Sequence, residues 1–405
     1  MALGAALQCS GSSLALVLLE MRDFPNLQAR LGFEASGVLL QGLSQRLSAA
    51  LNGRATVYKF GEARFCVLVK AVRNRGHAVL AAERLARAAQ EVMTDAALAL
   101  APEMNVGVAI YPSQAANAEE LLRKAQLAAA AVTTRSVRLQ VFDENCAAEV
   151  MNDWELREAF AVALRSGELQ VCYQPKMRIA DRRPVGVEAL MRWIRGGQTV
   201  ATPDVFIPLA EKAGLIQDTT WYALTNALRH ANAWRGLSVA VNITPAMLHH
   251  RDFVEMVRST ISTWTVRNHG LTLEITEGAL VVDFEQATSR LKRLRELGVR
   301  ISIDDFGTGY SSLSYFKKIP ADELKIDKSF VMGMLTDDAD QSLVQTIIAL
   351  ARRFRMEVVA EGVEDQATFE MLSGMHCDYA QGFLFAPALS AEHLAEWLKS
   401  YSSGS

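Results

Sequence analysis

Along residues 1 to about 145, short runs of apolar and β-branched residues alternate with longer stretches whose apolar positions recur every three to four residues. The strand-like runs are Leu14–Glu20, Ala55–Phe60, Phe65–Val69 and Val106–Tyr111, and helical periodicity marks Ala35–Leu51, Ala78–Met93 and Ala118–Ala131. Two runs, Thr56–Gly61 and Phe65–Val69, lie close enough to predict a hairpin turning over Gly61 to Arg64. Interspersed strands and helices with one antiparallel hairpin predict an α/β sheet with helices packed on it. From about Glu155 the rhythm changes. Strand candidates follow at Gln170–Lys176, Val185–Trp193, Ser238–Ile243, Leu271–Thr276, Arg300–Asp304, Glu323–Ile326, Glu357–Ala360 and Asp378–Gln381. Helical patterns fall between most of them, at Trp221–Trp234, Phe253–Trp264, Glu285–Leu297, Gln341–Phe354 and Gln366–Leu372. Such alternation over roughly 250 residues predicts one closed β/α barrel in place of two further domains. The boundary is expected in the polar stretch Asp143 to Asn152, giving segments 1–146 and 147–401 and a flexible tail at 402–405.

Composition removes several classes of function. The 405 residues carry 42 basic and 45 acidic side chains, and half are apolar. A chain so balanced is neither a disordered charged tail nor a protein that holds duplex nucleic acid by bulk positive charge. A small nucleotide ligand stays compatible. The apolar run Leu14–Leu19 has no basic residue before it and stops at Glu20, so it does not read as a signal peptide. No stretch approaches the ~20 apolar residues of a membrane span. The five cysteines (Cys9, Cys66, Cys146, Cys172 and Cys377) lie far apart, which reads as free thiols in a reducing, cytoplasmic compartment.

The second region places a polar residue at or just past the end of one apolar strand after another. Glu188 interrupts Val185–Met191, Asn242 closes Val239–Asn242, and Glu274 sits in Leu271–Thr276 with Glu277 just beyond. Asp304 and Asp305 close Val299–Ile303, Lys325 lies between Leu324 and Ile326, and Glu361 ends Val358–Ala360. Taken singly, each carboxylate reads as a solvated strand end or a helix cap, Lys325 as a solvated side chain, and Asn242 as a turn former before Pro245. Their repetition on successive strands points elsewhere. The C-terminal ends of barrel strands converge on one rim, and several carboxylates on one rim repel unless they hold a cation. Oxygen ligands of this kind suit Mg²⁺ or Mn²⁺. Gly307-Thr-Gly309 followed by Ser312 approaches a dinucleotide fingerprint, but the two aspartates before it would oppose a pyrophosphate. It reads as a loop beside a metal site.

Glu188-Ala-Leu-Met-Arg-Trp193 resembles the signature of the EAL family, bacterial phosphodiesterases of cyclic di-GMP. The resemblance continues through Tyr173–Pro175, Asn242, Glu274–Glu277, Asp304–Leu313, Lys325–Asp327, Glu361–Glu364 and Gln381–Phe383, across nearly all of residues 150 to 400. It implies a modified (β/α)8 barrel with one antiparallel strand, in which two Mg²⁺ or Mn²⁺ ions assist hydrolysis of cyclic di-GMP to linear 5′-pGpG. By the same resemblance Glu188, Asn242, Glu274 and Asp304 hold one ion, and Asp304, Asp305 and Glu361 the other. Lys325 holds or polarises the attacking water, Glu361 is the general base, and Glu277 anchors the loop Asp305–Leu313. Gln174, Arg192 and Gln381 contact the ligand, and a homodimer through this domain is implied. The rival is a receptor that binds cyclic di-GMP in the same pocket and signals without turnover.

The first region resembles a decayed GGDEF domain, the family of diguanylate cyclases. Its hairpin reads Gly61-Glu-Ala-Arg-Phe65, with Ala63 and Arg64 where the signature has Asp and Glu. The upstream metal motif appears as Glu20-Met-Arg-Asp-Phe24, with Arg22 at a carboxylate position, and the inhibitory R-x-x-D site, falling at Asn52 to Ala55, matches at neither end. Loss of these carboxylates removes the cation that GTP chemistry needs. The expectation is no cyclase activity and a structural or regulatory role, with GTP binding left open.

Overall fold

Strand β1 (Leu14–Met21) is apolar along almost its whole length because both of its faces are covered. It is the centre of a five-stranded sheet ordered β2-β3-β1-β4-β5, with β2 (Ala55–Phe60), β3 (Arg64–Lys70), β4 (Met104–Tyr111) and β5 (Leu139–Val141). Val17, Leu19, Val67 and Val108 pack on one face, in one core cluster with side chains of helices α1 (Phe24–Ala50) and α2 (Arg75–Gln90). Leu16, Leu18, Leu68 and Ala109 pack on the other, against helix α3 (Ala118–Thr134). The expected hairpin is present, with Phe60 paired to Arg64. The computed structural model describes residues 13–22, 24–51, 55–90, 102–134, 138–234, 236–264, 270–280, 283–307 and 318–403. It divides into two units, 1–156 and 157–405.

Gly107 sets how closely α3 approaches the sheet. A Cβ there would lie 2.2 Å from the Ala125 carbonyl oxygen and 2.3 Å from the Ala129 nitrogen, both helix backbone. Backbone cannot step aside as a side-chain tip does. Overpacking of this kind costs about 1–3 kcal/mol, so Gly107→Ala should lower the unfolding midpoint of the first unit in a denaturant titration. An unchanged midpoint would mean that α3 shifts freely.

The polar stretch expected to mark the boundary is helical. Helix α4 (Glu144–Ser166) begins there, with Asp143 Oδ1 accepting from the Asn145 and Cys146 amides, and it runs past the unit boundary at Leu156. Glu144, Asn145 and Asn152 are its solvent side, while Cys146 is buried. A C-terminal helix, Ala391–Ser403, with Leu394 packed inward, includes the first two residues of the stretch expected as a tail.

The second unit is the expected barrel. Its eight strands are β6 (Leu169–Arg178), β7 (Pro184–Arg195), β9 (Ser238–Ile243), β10 (Leu271–Thr276), β11 (Arg300–Phe306), β12 (Glu323–Ile326), β13 (Glu357–Ala360) and β14 (Tyr379–Ala380), and β8 (Gln198–Ala201) extends β7 as a hairpin. The ring closes through β6, which is antiparallel to both β7 and β14, whereas the other pairings around the ring are parallel. One antiparallel strand is thus built into the barrel. Among the described residues, no helix is long and apolar enough to cross a membrane.

Candidate active site

Inward and outward positions alternate along a strand, so one polar residue per strand at the same height collects in the barrel mouth. All eight barrel strands supply one, within the strand or directly after it: Gln174, Glu188, Asn242, Glu274, Asp304, Lys325, Glu361 and Gln381. Lys325 is the hub. Its Nζ lies 2.6 Å from Glu361 Oε1, 2.9 Å from Glu274 Oε2, 3.2 Å from Asp304 Oδ1 and 3.4 Å from Glu188 Oε2. Glu188, Glu274, Asp304 and Lys325 are all buried, so the reading of each as a solvated side chain fails.

Amides complete the cluster. Asn242 Nδ2 donates to Glu188 Oε1 at 2.7 Å, and Gln381 Nε2 donates to Glu188 Oε2 at 2.6 Å. Gln381 also donates to Gln174 Oε1, and Gln174 in turn donates to the Ala386 carbonyl. Glu188 is therefore held on both oxygens. Asn242 is exposed at the mouth and is more than a turn residue. Arg192 lies on the same face of β7 as Glu188, four residues further along, and its guanidinium donates to the Met191 carbonyl. Glu277 is buried at the start of a 3-10 turn. The loop it is expected to anchor falls mostly at 308–313, outside the described residues.

Asp304 and Asp305 would point to opposite sides of a regular strand. The pairing of β11 with β12 breaks register between Ile303 and Phe306, and Asp305 adopts a left-handed φ of 54°. Oxygens of Asp304, Asp305 and Glu361 consequently lie within 4.8 Å of one another. That spacing can hold a hard cation.

Burial raises the Glu361 carboxyl to about 7; Lys325 opposes the rise, and Asp304 and Glu188 add to it. Glu274 is pushed well above the carboxylate range by burial, with Glu188 as the next cause. Burial acts on Glu188 too, but Lys325, Gln381 and Asn242 outweigh it and its carboxyl is lowered. Burial alone would depress Lys325; the surrounding carboxylates reverse the sign and keep it an ammonium. Asp305 is raised by burial, by Asp304 and by Asp327, whose place in Lys325-Ile-Asp327 was visible in the sequence without a role.

At the end of the first unit's sheet, Glu20 and Arg64, from the two segments compared with the cyclase motifs, pair with each other, and Arg22 pairs with neighbours on β4 and just before it. Arg64 contacts Glu20 at 2.6 Å, and Arg22 donates to Asn105 Oδ1 at 2.6 Å and reaches Glu103 at 3.5 Å. Ala63 is buried beside them in sequence and carries no ligand atom. Of the expected inhibitory site only Ala55 is described; residues 52–54 lie outside.

Residues 154–388 match the family model described as EAL domain, and residues 2–135 match that described as diguanylate cyclase, GGDEF domain. The cyclic di-GMP phosphodiesterase NbdA of Pseudomonas aeruginosa is 34% identical over 397 residues, a match covering 96% of this chain and 51% of that protein. The bifunctional diguanylate cyclase/cyclic di-GMP phosphodiesterase MucR of the same organism is 32% identical over 386 residues, covering 94% of this chain and 56% of MucR. The chain spans about half the length of these curated relatives. Among solved structures, the PaMucR phosphodiesterase in complex with c-di-GMP is 38% identical with a TM-score of 0.57, covering 59% of this chain and 99% of that one. The EAL enzyme Bd1971 in its cGMP-bound form is 25% identical with a TM-score of 0.60, covering 74% and 82%.

Proposed function

The chain belongs to the EAL domain family, and on that premise we propose that its barrel hydrolyses cyclic di-GMP to linear 5′-pGpG with two Mg²⁺ or Mn²⁺ ions. The observation that carries this reading is the convergence of four carboxylates on Lys325 in the barrel mouth. The donor set fits the ions, since carboxylate and amide oxygens at near contact are what hard divalent cations take. Glu188, Asn242, Glu274 and Asp304 would hold one ion, and Asp304, Asp305 and Glu361 the other. When bound, the ions acidify a water and offset charge on the attacking and leaving oxygens of an in-line displacement.

The chain's own residues do the rest. Glu361 accepts the proton of the attacking water as general base, its carboxyl raised by burial in the metal-free cluster. Lys325, 2.6 Å from Glu361, holds that carboxylate and the water in place. Gln381 and Asn242 fix Glu188, while Gln174 and Arg192 take the ligand. Incubation of the pure chain with cyclic di-GMP and Mn²⁺ should yield pGpG by chromatography. Glu188→Ala should abolish that turnover while the barrel stays folded by circular dichroism. Full turnover of the variant would sink the metal assignment.

The first unit is a structural or regulatory module in this reading. Arg64 sits on the one remaining motif carboxylate, Glu20, and Arg22 stands where a second ligand is needed. The chain should therefore make no cyclic di-GMP from GTP and Mg²⁺. Restoring Asp at 63 and Glu at 64 should not suffice while Arg22 remains. Product from a preparation free of other cyclases would overturn this. Assembly as a cytoplasmic homodimer through the barrel belongs to the same reading, which sedimentation would check.

A further inference from the structure

One row below the carboxylate cluster, the barrel interior holds a second ion pair that the proposed reaction does not use. Lys176 Nζ meets Glu323 Oε2 at 2.7 Å, with side chains 7% and 1% exposed. Their place follows from the register. On β6 Gln174 pairs with Glu188 and Lys176 with Gly186, so Lys176 lies one inward position deeper than Gln174. On β12 Glu323 lies one inward position deeper than Lys325. Gly186 leaves room for the crossing side chain. A Cβ at 186 would stand 3.3 Å from Lys176 Cε and 2.4 Å from Ser238 Oγ. Lys176 Nζ also lies 5.5 Å from the centre of the Tyr379 ring.

The pair is incomplete. Glu323 Oε1 and Ser302 Oγ are both buried and neither has a hydrogen-bond partner among the described residues. Ser302 is the β11 register partner of Glu323 on one side and of Glu274 on the other, so all three side chains share the inner face. A buried polar atom left without a partner costs about 1–3 kcal/mol, and such atoms ordinarily hold a water.

We propose that Ser302 and Glu323 bind a buried water, and that Lys176, Glu323, Ser302 and this water form a positioning layer that fixes Glu274 and Lys325 from below. The layer adds a net-neutral ion pair and a hydrogen-bonded floor beneath the carboxylate cluster. Outer partners of this kind typically change metal affinity by about 10–100-fold when lost. The proposal rests on the phosphodiesterase reading only for its turnover arm; its metal-binding arm does not.

The test uses the full chain. In the double variant Lys176→Met/Glu323→Leu, apolar side chains replace the pair, and such replacements often leave stability unchanged or higher. A purely structural pair would then be dispensable. We expect an unchanged or raised unfolding midpoint, Mn²⁺ binding weakened about 10–100-fold by calorimetry, and kcat lowered with KM for cyclic di-GMP little changed. Ser302→Ala, which removes one hydroxyl, is the second variant and should weaken Mn²⁺ binding in the same direction. Ser302→Thr, which keeps the hydroxyl, should restore most of it. Wild-type Mn²⁺ affinity in both the double variant and Ser302→Ala would overturn the proposal. If wild type binds Mn²⁺ but does not hydrolyse cyclic di-GMP, the phosphodiesterase reading fails while the calorimetric comparison still decides the layer.

Discussion

Lys325→Met is expected to make the stability of the barrel depend on divalent metal. In the wild-type fold one ammonium, 1% exposed, serves four carboxylates within 3.4 Å. Methionine fills a similar length without the charge. Glu188 and Glu274, both buried, would then face Asp304 and Glu361 with no cation between them. Removing one partner of a buried ion pair costs about 3–5 kcal/mol. For a unit of this size, each kcal/mol corresponds to about 2–4 °C in the unfolding midpoint. In EDTA the barrel transition of the variant should therefore fall by roughly 6–20 °C. Saturating Mn²⁺ should recover much of the loss, because an ion that binds only the folded state stabilises it. Wild type, which carries its own cation, should gain less from the same ion. Turnover should be lost in the variant even with Mn²⁺ present. An equal Mn²⁺ effect on both proteins would show that the carboxylates do not share a metal site with Lys325.

The barrel was legible because its strands are short apolar runs separated by amphipathic helices, and the eight strand candidates correspond to the eight barrel strands. What the pattern missed is short or polar. β5 has only three residues, and β8 opens on the exposed polar pair Gln198 and Thr199, so neither shows as an apolar run. Helix α4 passed for a boundary because its first turns carry exposed polar residues such as Glu144, Asn145 and Asn152. The cluster's members were visible as interruptions of apolar runs, but their burial and shared hub were not, since they emerge only when the barrel closes. The lower ion pair left no trace at all: Lys176 and Glu323 stand 147 positions apart, and each looks like a charged residue near a strand end. Asp305 shows the same limit at the level of one residue. Two adjacent aspartates serve one point only through a register break and a left-handed backbone, which side-chain identity does not encode. In the first unit the sequence showed Arg22, Ala63 and Arg64 at the motif positions, whereas the pairing of Arg64 with Glu20 needed the strand register.

Glu361→Gln should separate binding from turnover. Glu361 follows β13 at the barrel mouth, half-buried, with Oε1 2.6 Å from Lys325 Nζ. A glutamine carbonyl can still accept from Lys325, so the cluster keeps its shape. What it loses is a negative charge and a carboxylate able to take up a proton. Loss of a general base typically lowers the rate by about 10²–10⁴. Asp304 and Asp305 remain, so the variant should need more Mn²⁺, and the comparison belongs at saturating metal where only the proton transfer differs. Gln174 and Arg192, on β6 and β7, are unaffected by the change, so affinity for cyclic di-GMP should fall far less than kcat. Calorimetry beside a pGpG assay distinguishes the possibilities. Binding retained with turnover reduced at least 100-fold (the lower bound of roughly 10² above) supports Glu361 as the base. Turnover within a few-fold of wild type would assign the proton to another group. Binding by wild type and variant with hydrolysis by neither would make the barrel a receptor, its carboxylates and Lys325 serving recognition alone.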